Sequence, residues 1–235
     1  MKKSTLIIAL DRPSAKEAGL ILDKMPESAG WFKVGLELFT AEGPATLSLL
    51  KDRRKNIFLD LKLHDIPNTV ARAVRAAAAH DAAMLTVHAL GGKAMIKSAA
   101  EAAKSAGAGT TKIIAVTILT SHNQEDLTAI GVQRKMSDQV LALADLALKS
   151  GADGLVASVN EARILRKNFG NDFTLVVPGI RPAGSESADQ KRVATPAMAV
   201  EAGADYLVVG RPIIDAQDPG AAANAIMAEM AGTGR

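Results

Sequence analysis

The chain has 235 residues and a formal net charge of +3; 48% of its residues are hydrophobic, 23% are charged, 3% are aromatic, and none is cysteine. So few aromatic side chains argue against single-stranded nucleic-acid binding, which needs stacking platforms, and no Lys/Arg block is long enough for a nucleic-acid tail. The absence of cysteine excludes disulfides and thiolate chemistry and is compatible with the cytoplasmic location that we expect. The apolar run at 6–10 is too short for a signal peptide or a membrane span, so we expect no membrane association.

Short aliphatic runs alternate with helical patterns along the chain. We predict strands at 6–11, 32–36, 56–62, 84–89, 112–119, 154–158, 174–178 and 206–210. Helices are predicted near 14–25, 43–51, 67–80, 92–106, 138–150, 160–168, 195–202 and 219–231. Eight strands, each followed by a helix, favour an α/β fold of the (β/α)8 TIM-barrel type, with a single domain over residues 1–235. An open, doubly wound sheet is the alternative.

Two connections are longer than a barrel needs. One runs from Thr120 to about Ser137, and the other spans residues 179–194 with a polar centre at 184–187. Both follow predicted strands, so a barrel would place them on the C-terminal rim, where the active sites of this fold lie. We therefore predict that both are candidate lids.

The segment 56–69 carries an unusual set of charges at the end of a strand. Side chains two apart in a strand share a face, so Asp60 and Lys62 point the same way as Phe58. Asp65 follows where the strand ends. Two acids and a lysine this close together are costly to assemble for stability alone, so we expect them to serve function.

Other strand ends add charges to the same rim. Asp11 ends the first predicted strand, and Lys33 interrupts the apolar second strand. A buried lysine needs carboxylate partners or loses its proton, so we expect Lys33 to join Asp60 and Lys62 in one charge array. Ion pairing without a catalytic role is the simpler alternative. For Asp11 and His88, each taken alone, we expect a purely structural role. A single histidine is usually a structural residue whose hydrogen bonds are all made.

Metal binding is a competing function for this region. Asp60, His64, Asp65 and His88 are all possible ligands. Two lysines in the same space would repel a divalent cation, and no spacing as specific as His-Glu-x-x-His occurs. We therefore expect a site without metal or other cofactor.

A second cluster follows the last two predicted strands. Gly210 and Arg211 end the eighth strand, and Pro178, Gly179 and Arg181 follow the seventh. Loops in these two places are the usual phosphate site of a barrel. Glycine permits close approach of backbone N–H groups, and arginine can hold a phosphate with two parallel hydrogen bonds. We therefore predict a small anionic substrate that carries a phosphate.

The array Asp60-x-Lys62-x-x-Asp65-Ile66-Pro67-Asn68-Thr69 resembles the signature of the orotidine 5'-monophosphate decarboxylase family. Further segments match that family in its order: Ala9-Leu10-Asp11, Phe32-Lys33-Val34-Gly35, Val87-His88-Ala89, Leu119-Thr120-Ser121, Pro178-Gly179-Ile180-Arg181-Pro182, Asp189-Gln190 and Val209-Gly210-Arg211-Pro212. The Asp-x-Lys-x-x-Asp element is shared with related sugar-phosphate decarboxylases and aldolases. The Ile-Pro-Asn-Thr and Pro-Gly-Ile-Arg-Pro segments favour the orotidylate enzymes, and the resemblance covers nearly the whole chain.

The resemblance implies a cofactor-free homodimer that decarboxylates orotidine 5'-monophosphate to UMP, the last step of de novo pyrimidine nucleotide synthesis. The implied catalytic residues are Lys33, Asp60, Lys62 and Asp65, with Lys62 as the proton donor. The implied substrate-binding residues are Asp11, Lys33, Asp60, Thr69, Thr120, Ser121, Pro178, Arg181, Gln190, Gly210 and Arg211. Asp65 and Thr69 would reach in from the partner subunit.

The substrate would extend along the rim. By the resemblance, Asp11 and Lys33 bind the ribose hydroxyls, and Thr120 with Ser121 contacts the pyrimidine. The 5'-phosphate is held by Arg181, Gln190, Gly210 and Arg211. Two other functions stay open: a Mg-dependent sugar-phosphate decarboxylase or aldolase of the same suprafamily, and a catalytically silent protein that binds a phosphate ligand.

Overall fold

The computed structural model describes residues 4–106, 111–182 and 194–232. Its strands are β1 (Thr5–Ala9), β2 (Trp31–Gly35), β3 (Asn56–Leu63), β4 (Ala82–His88), β5 (Lys112–Val116), β6 (Gly154–Val156), β7 (Thr174–Val177) and β8 (Tyr206–Val209). They form a closed barrel in sequence order, all neighbours are parallel, and β1 pairs with β8. The predicted (β/α)8 barrel is thus confirmed, and the open sheet is wrong.

Helices cover the outside of the barrel and connect its strands. They are α1 (Ala15–Leu22), α2 (Leu36–Glu42), α3 (Ala45–Asp52), α4 (Pro67–Ala79), α5 (Gly92–Ser105), α6 (Gln124–Ala129), α7 (Met136–Lys149), α8 (Val159–Phe169), α9 (Pro196–Glu201), α10 (Arg211–Ile214) and α11 (Pro219–Gly232). A 3-10 turn, Ala89–Gly91, precedes α5. None of the helices in the described ranges is long and apolar enough to cross a bilayer.

Three short helices are absent from the predicted set: α2, α6 and α10. The predicted long connection from Thr120 to about Ser137 contains α6, a helix that was not predicted. The Asn123 side chain accepts the Asp126 N–H, and the Asp126 side chain accepts the Asn123 N–H, which satisfies two donors that a helix start leaves unpaired. Most of the other long connection, residues 183–193, lies outside the described residues.

Apolar side chains pack in two regions, one on each side of the strands. The barrel interior is filled by Ile7, Ala9, Phe58, Met84, Ile114, Val116, Val156, Val176 and Val208. The larger region lies between the strands and the surrounding helices and includes Leu59 and Ile57. Burying each of the Val, Leu, Ile, Phe or Met side chains stabilises the fold by about 1.5–3 kcal/mol. Because alternate residues of β3 serve the two regions, the strand turns Phe58 inward and Leu59 outward, as its sequence predicts.

The end of β3 departs from regular pairing with β4. Leu59 pairs with Leu85 and Leu63 pairs with Val87, so three residues of β3 face a single residue of β4, Thr86. Within this bulge Lys62 has φ 51°, a left-handed conformation that side chains with a Cβ rarely adopt. Bulges next to active sites redirect side chains, and such strain persists only where neighbouring contacts hold it.

Candidate active site

A cavity of about 570 Å³ opens among the residues that follow the strand ends. Its apolar part comes from the barrel interior and includes Phe58, Val176 and Val208. Its charged and hydroxyl-bearing side chains are Asp11, Arg12, Lys33, Glu37, Asp60, Lys62, Thr120, Arg181, Arg211 and Asp215. An apolar base with converging polar groups is typical of a small-molecule site.

Acidic and basic side chains alternate along one side of this cavity. Lys33 Nζ lies 2.8 Å from Asp11 Oδ1 and 3.8 Å from Asp60 Oδ2. Lys62 Nζ lies 2.9 Å from each carboxylate oxygen of Asp60. The predicted array of Asp11, Lys33, Asp60 and Lys62 is therefore assembled at one site, by residues from β2 and β3 and from the end of β1.

Asp60 is the buried centre of this array. Burial would raise the pKa of its carboxyl group, but the charges of Lys33 and Lys62 and hydrogen bonds from Lys62 and Thr86 outweigh burial and hold the pKa below its usual range. Asp60 is therefore ionised at neutral pH. Its position between two ammonium groups is what permits a buried carboxylate here.

The predicted phosphate-binding residues line another part of the same cavity. Pro178 and Arg181 come from the connection after β7, and Gly210 and Arg211 follow β8, with Arg211 opening α10. A Cβ on Gly210 would lie 3.4 Å from the Cβ of Ala9, so the chain passes close to the end of β1 at this point. The cavity wall thus combines the lysine–carboxylate array with the guanidinium groups of Arg181 and Arg211.

Sequence reasoning missed an ion pair that also borders the cavity. Arg12 Nη2 lies 2.7 Å from Asp215 Oδ1, and both residues line the cavity. The two residues are 203 positions apart and become neighbours only because β1 closes the barrel against β8. The available signal was positional, since Arg12 directly follows Asp11 at a strand end.

Four predicted site residues do not line the cavity of this chain or cannot be placed. Asp65, Thr69 and Ser121 are exposed, and none of them is among the residues that line the cavity. The Asp65 carboxylate accepts the backbone N–H of Ile66 at 2.7 Å. Gln190 lies outside the described residues.

His88 differs from the satisfied structural histidine that we expected. Its Nδ1 atom is buried and has no hydrogen-bond partner within the described part of the chain. Its ring lies 5.8 Å from that of His64, centroid to centroid. Burial, followed by the nearby His64 and Lys62, lowers the pKa of His88 below its usual range. His88 is therefore neutral at physiological pH.

The candidate metal ligands do not gather into a metal site. Over residues 4–106, 111–182 and 194–232, no group of three or more His, Asp or Glu side chains is arranged to hold a metal ion. Asp60 instead faces Lys33 and Lys62. The described side chains therefore offer a divalent cation no ready-made set of ligands.

Comparison with known proteins places this geometry in a family. Residues 4–226 match the family model "Orotidine 5'-phosphate decarboxylase / HUMPS family". The orotidine 5'-phosphate decarboxylase of Moorella thermoacetica is 49% identical over 97% of this chain and 92% of its own length. The enzyme of the same name from Halorhodospira halophila is 51% identical over 97% of each chain.

The fold comparison agrees with the sequence comparison. The crystal structure of orotidine 5'-phosphate decarboxylase from Lactobacillus acidophilus superimposes with a TM-score of 0.85 at 42% identity, covering 97% of this chain and 99% of that one. Together with the rim array, these matches show that the chain belongs to the orotidine 5'-phosphate decarboxylase / HUMPS family.

Proposed function

We propose that this protein is a carboxy-lyase that converts orotidine 5'-monophosphate to UMP without a cofactor, the last step of de novo pyrimidine nucleotide synthesis. The observation that carries the proposal is the array Asp11–Lys33–Asp60–Lys62, which shares one cavity with Arg181 and Arg211. This arrangement suits a substrate with a reacting carboxylate at one end and a phosphate at the other. The names and identities of the relatives support the same reaction.

The chemistry requires one bond to break and one to form. The bond between the pyrimidine ring carbon and its carboxylate breaks, CO₂ leaves, and the electron pair stays on the ring carbon. Lys62 stabilises this developing carbanion with its positive charge and then donates a proton from Nζ to the carbon. Asp60 orients Lys62 and lies close to the substrate carboxylate, and Lys62 regains its proton from water.

The remaining binding residues hold the substrate in register with Lys62. We assign Asp11 and Lys33 to the ribose hydroxyls, Thr120 with Ser121 to the pyrimidine, and Arg181, Gln190, Gly210 and Arg211 to the phosphate. Pro178 also lines the cavity, and we assign it to substrate binding. Phosphate binding remote from the reacting carbon supplies free energy that orients the ring, which raises kcat as well as affinity.

We further propose that the protein is a homodimer in which Asp65 and Thr69 complete the partner's site. Both residues are exposed, and neither lines the cavity of its own chain. Three large apolar side chains follow the neighbouring strands β2, β3 and β4: Leu36 is 57% exposed, Ile66 67% and Leu90 48%. These are three of the six large apolar side chains that are exposed among the described residues, and their places after three neighbouring strands support an interface there. The single domain over 1–235 and the cytoplasmic location stay predictions.

A metal-free spectrophotometric assay tests the proposed reaction. Protein is treated with EDTA, desalted and mixed with orotidine 5'-monophosphate, and the loss of orotidylate ultraviolet absorbance is followed. We expect full turnover without added metal, and UMP as the product. Turnover only after Mg²⁺ is restored, or turnover of a sugar phosphate instead of orotidylate, would favour the alternative members of the barrel suprafamily. Binding of orotidylate without turnover would favour a silent phosphate-binding protein.

A further inference from the structure

We propose that Thr86 is a positioning residue for the proton transfer: its hydroxyl holds the Asp60 carboxylate and the backbone of Lys62 in their working geometry. As a statement about catalysis, this inference rests on the proposed decarboxylation. Thr86 belongs to β4, it is fully buried, and it is not among the residues that line the cavity. It therefore acts through Asp60 and Lys62 and not on the substrate itself.

The Thr86 hydroxyl makes two hydrogen bonds to the charge array. Its Oγ1 donates to Asp60 Oδ1 at 2.9 Å and accepts the backbone N–H of Lys62 at 2.8 Å. A hydroxyl group can donate one hydrogen bond and can also accept hydrogen bonds. The Thr86 hydroxyl does both here, because it donates to Asp60 and accepts from Lys62. One side chain thereby fixes the carboxylate and the main chain of the proton donor relative to each other.

The bulge in β3 explains why such a link is needed. Thr86 is the single β4 residue that faces Asp60, Leu61 and Lys62. These residues are displaced from regular pairing, and Lys62 has the left-handed φ of 51°. A strained backbone persists only where surrounding contacts determine it. The Thr86 hydroxyl replaces a ladder partner for the Lys62 N–H and so holds the turn that directs the Lys62 side chain to Asp60.

The donated hydrogen bond also affects the charge of Asp60. Hydrogen bonding to the ionised form of a carboxyl group favours that form and lowers its pKa. Without the Thr86 hydroxyl, one Asp60 oxygen loses a donor in a buried place, so the pKa of Asp60 should rise. A threonine that served only the packing of β4 would leave the titration of Asp60 unchanged, which makes the two roles distinguishable.

The test compares three variants of the full-length protein. Thr86→Val keeps the shape of the side chain but removes both hydrogen bonds, whereas Thr86→Ser keeps the hydroxyl. Thr117→Val is the matched control, because Thr117, directly after β5, is also fully buried and its hydroxyl donates to a backbone carbonyl, that of Val156, at 3.1 Å. The carboxyl group of Asp60 is followed by ¹³C NMR during pH titration and assigned with Asp60→Asn. Kinetics alone would be ambiguous, because the substrate phosphate titrates near pH 6.

In Thr86→Val we expect the Asp60 titration to move upward by about one pH unit, since one hydrogen bond to a charged group is lost. We expect kcat to fall about tenfold or more with KM nearly unchanged, because Thr86 does not line the cavity. Thr86→Ser should restore both properties to near the wild-type values. Thr117→Val should change neither, although it should lower the thermal midpoint.

An unchanged Asp60 titration and a kcat within twofold of wild type in folded Thr86→Val would overturn the inference. Equal effects of Thr86→Val and Thr117→Val on kcat would also overturn it. If Thr86→Val does not fold, Thr86→Ser is compared with Thr86→Ala. These two variants have smaller side chains and differ only in the presence of the hydroxyl. If the wild-type protein does not turn over orotidylate, the proposed function fails, while the NMR titration still decides whether Thr86 sets the state of Asp60.

Discussion

Lys62 combines a strained backbone, a carboxylate partner and a place on the cavity wall. Lys62→Ala removes the proposed proton donor and one of the two cations beside Asp60. General acid catalysis contributes about 10²–10⁴-fold and a preorganised charge about 10²–10³-fold. We therefore expect Lys62→Ala to lower kcat by at least about 10⁴-fold, measured as the loss of orotidylate absorbance.

The fold should survive this substitution, because Asp60 keeps Lys33 and the Thr86 hydroxyl as partners. Circular dichroism and the thermal midpoint check this point. Lys149→Ala is a control lysine, since its exposed pair with Asp145 on α7 contributes only about 0.3–0.5 kcal/mol and should not affect turnover. A Lys62→Ala protein that retains wild-type kcat would eliminate Lys62 as the proton donor.

Residues of the site could be predicted where their chemistry conflicts with their surroundings. Lys33 and Asp60 stand out because charges are rare in buried strands. Thr86 could not be singled out in this way, because threonine is common in strands. Its proposed role depends on the bulge in β3 that lies opposite it. Arg12 and Asp215 could not be paired in advance, because their contact depends on how the barrel closes.

At the scale of elements, the end of β2 must pass close to Lys33 and Asp11 for the array to form. Gly35 ends β2 and pairs with Asp60 of β3. A Cβ at Gly35 would lie 2.7 Å from Lys33 Nζ and 3.1 Å from Asp11 Oδ1. The lysine terminus is flexible and can move away at small cost in stability, but it then loses its alignment with Asp11. Because both residues are assigned to the ribose, we expect Gly35→Ala to raise KM about tenfold, with a thermal midpoint close to that of wild type.

Gly30→Ala provides the comparison just before the other end of the same strand. A Cβ there would meet its nearest neighbour, Asn56 Nδ2, at 3.9 Å, which is an ordinary van der Waals contact. Steady-state kinetics should show a normal KM for Gly30→Ala. If both alanine variants bind substrate as tightly as wild type, the close approach of Gly35 to Lys33 and Asp11 does not control the proposed ribose site.

Elements with a sustained pattern were predictable, and short ones were not. All eight strands follow from aliphatic runs, although the ladder ends earlier than the run in most of them; β5, for example, ends at Val116 and not at 119. After the last paired residue the chain leaves the sheet and enters the connection on the rim. The sequence is still apolar there, so the predicted strand extends too far. The helices α2, α6 and α10 have 7, 6 and 4 residues. So few residues complete too few turns to show a helical period.

At the scale of the whole molecule, the pairing of β1 with β8 brings residues from both ends of the chain together in one cavity. Asp11 after β1 comes within 3.6 Å of where a Cβ of Gly210 after β8 would be. The count of eight repeats was enough to predict this closure. The proposed partner subunit could not be inferred from periodicity, because an exposed apolar residue such as Ile66 shows no repeat that distinguishes an interface from an exposed turn.

Subunit mixing tests the proposed homodimer with a shared site. Asp65→Ala and Lys62→Ala proteins should each be inactive alone. In a hybrid dimer, the Asp65→Ala subunit supplies an intact Lys62, and its Lys62→Ala partner supplies an intact Asp65, so one of the two sites is native. Random exchange at equal concentrations makes about half of the dimers hybrid, so we expect about a quarter of wild-type activity. Exchange is verified by native mass spectrometry of size-tagged subunits. Hybrids that form without recovery of activity would show that Asp65 does not act across the interface, because a site built within one subunit gains nothing from its neighbour.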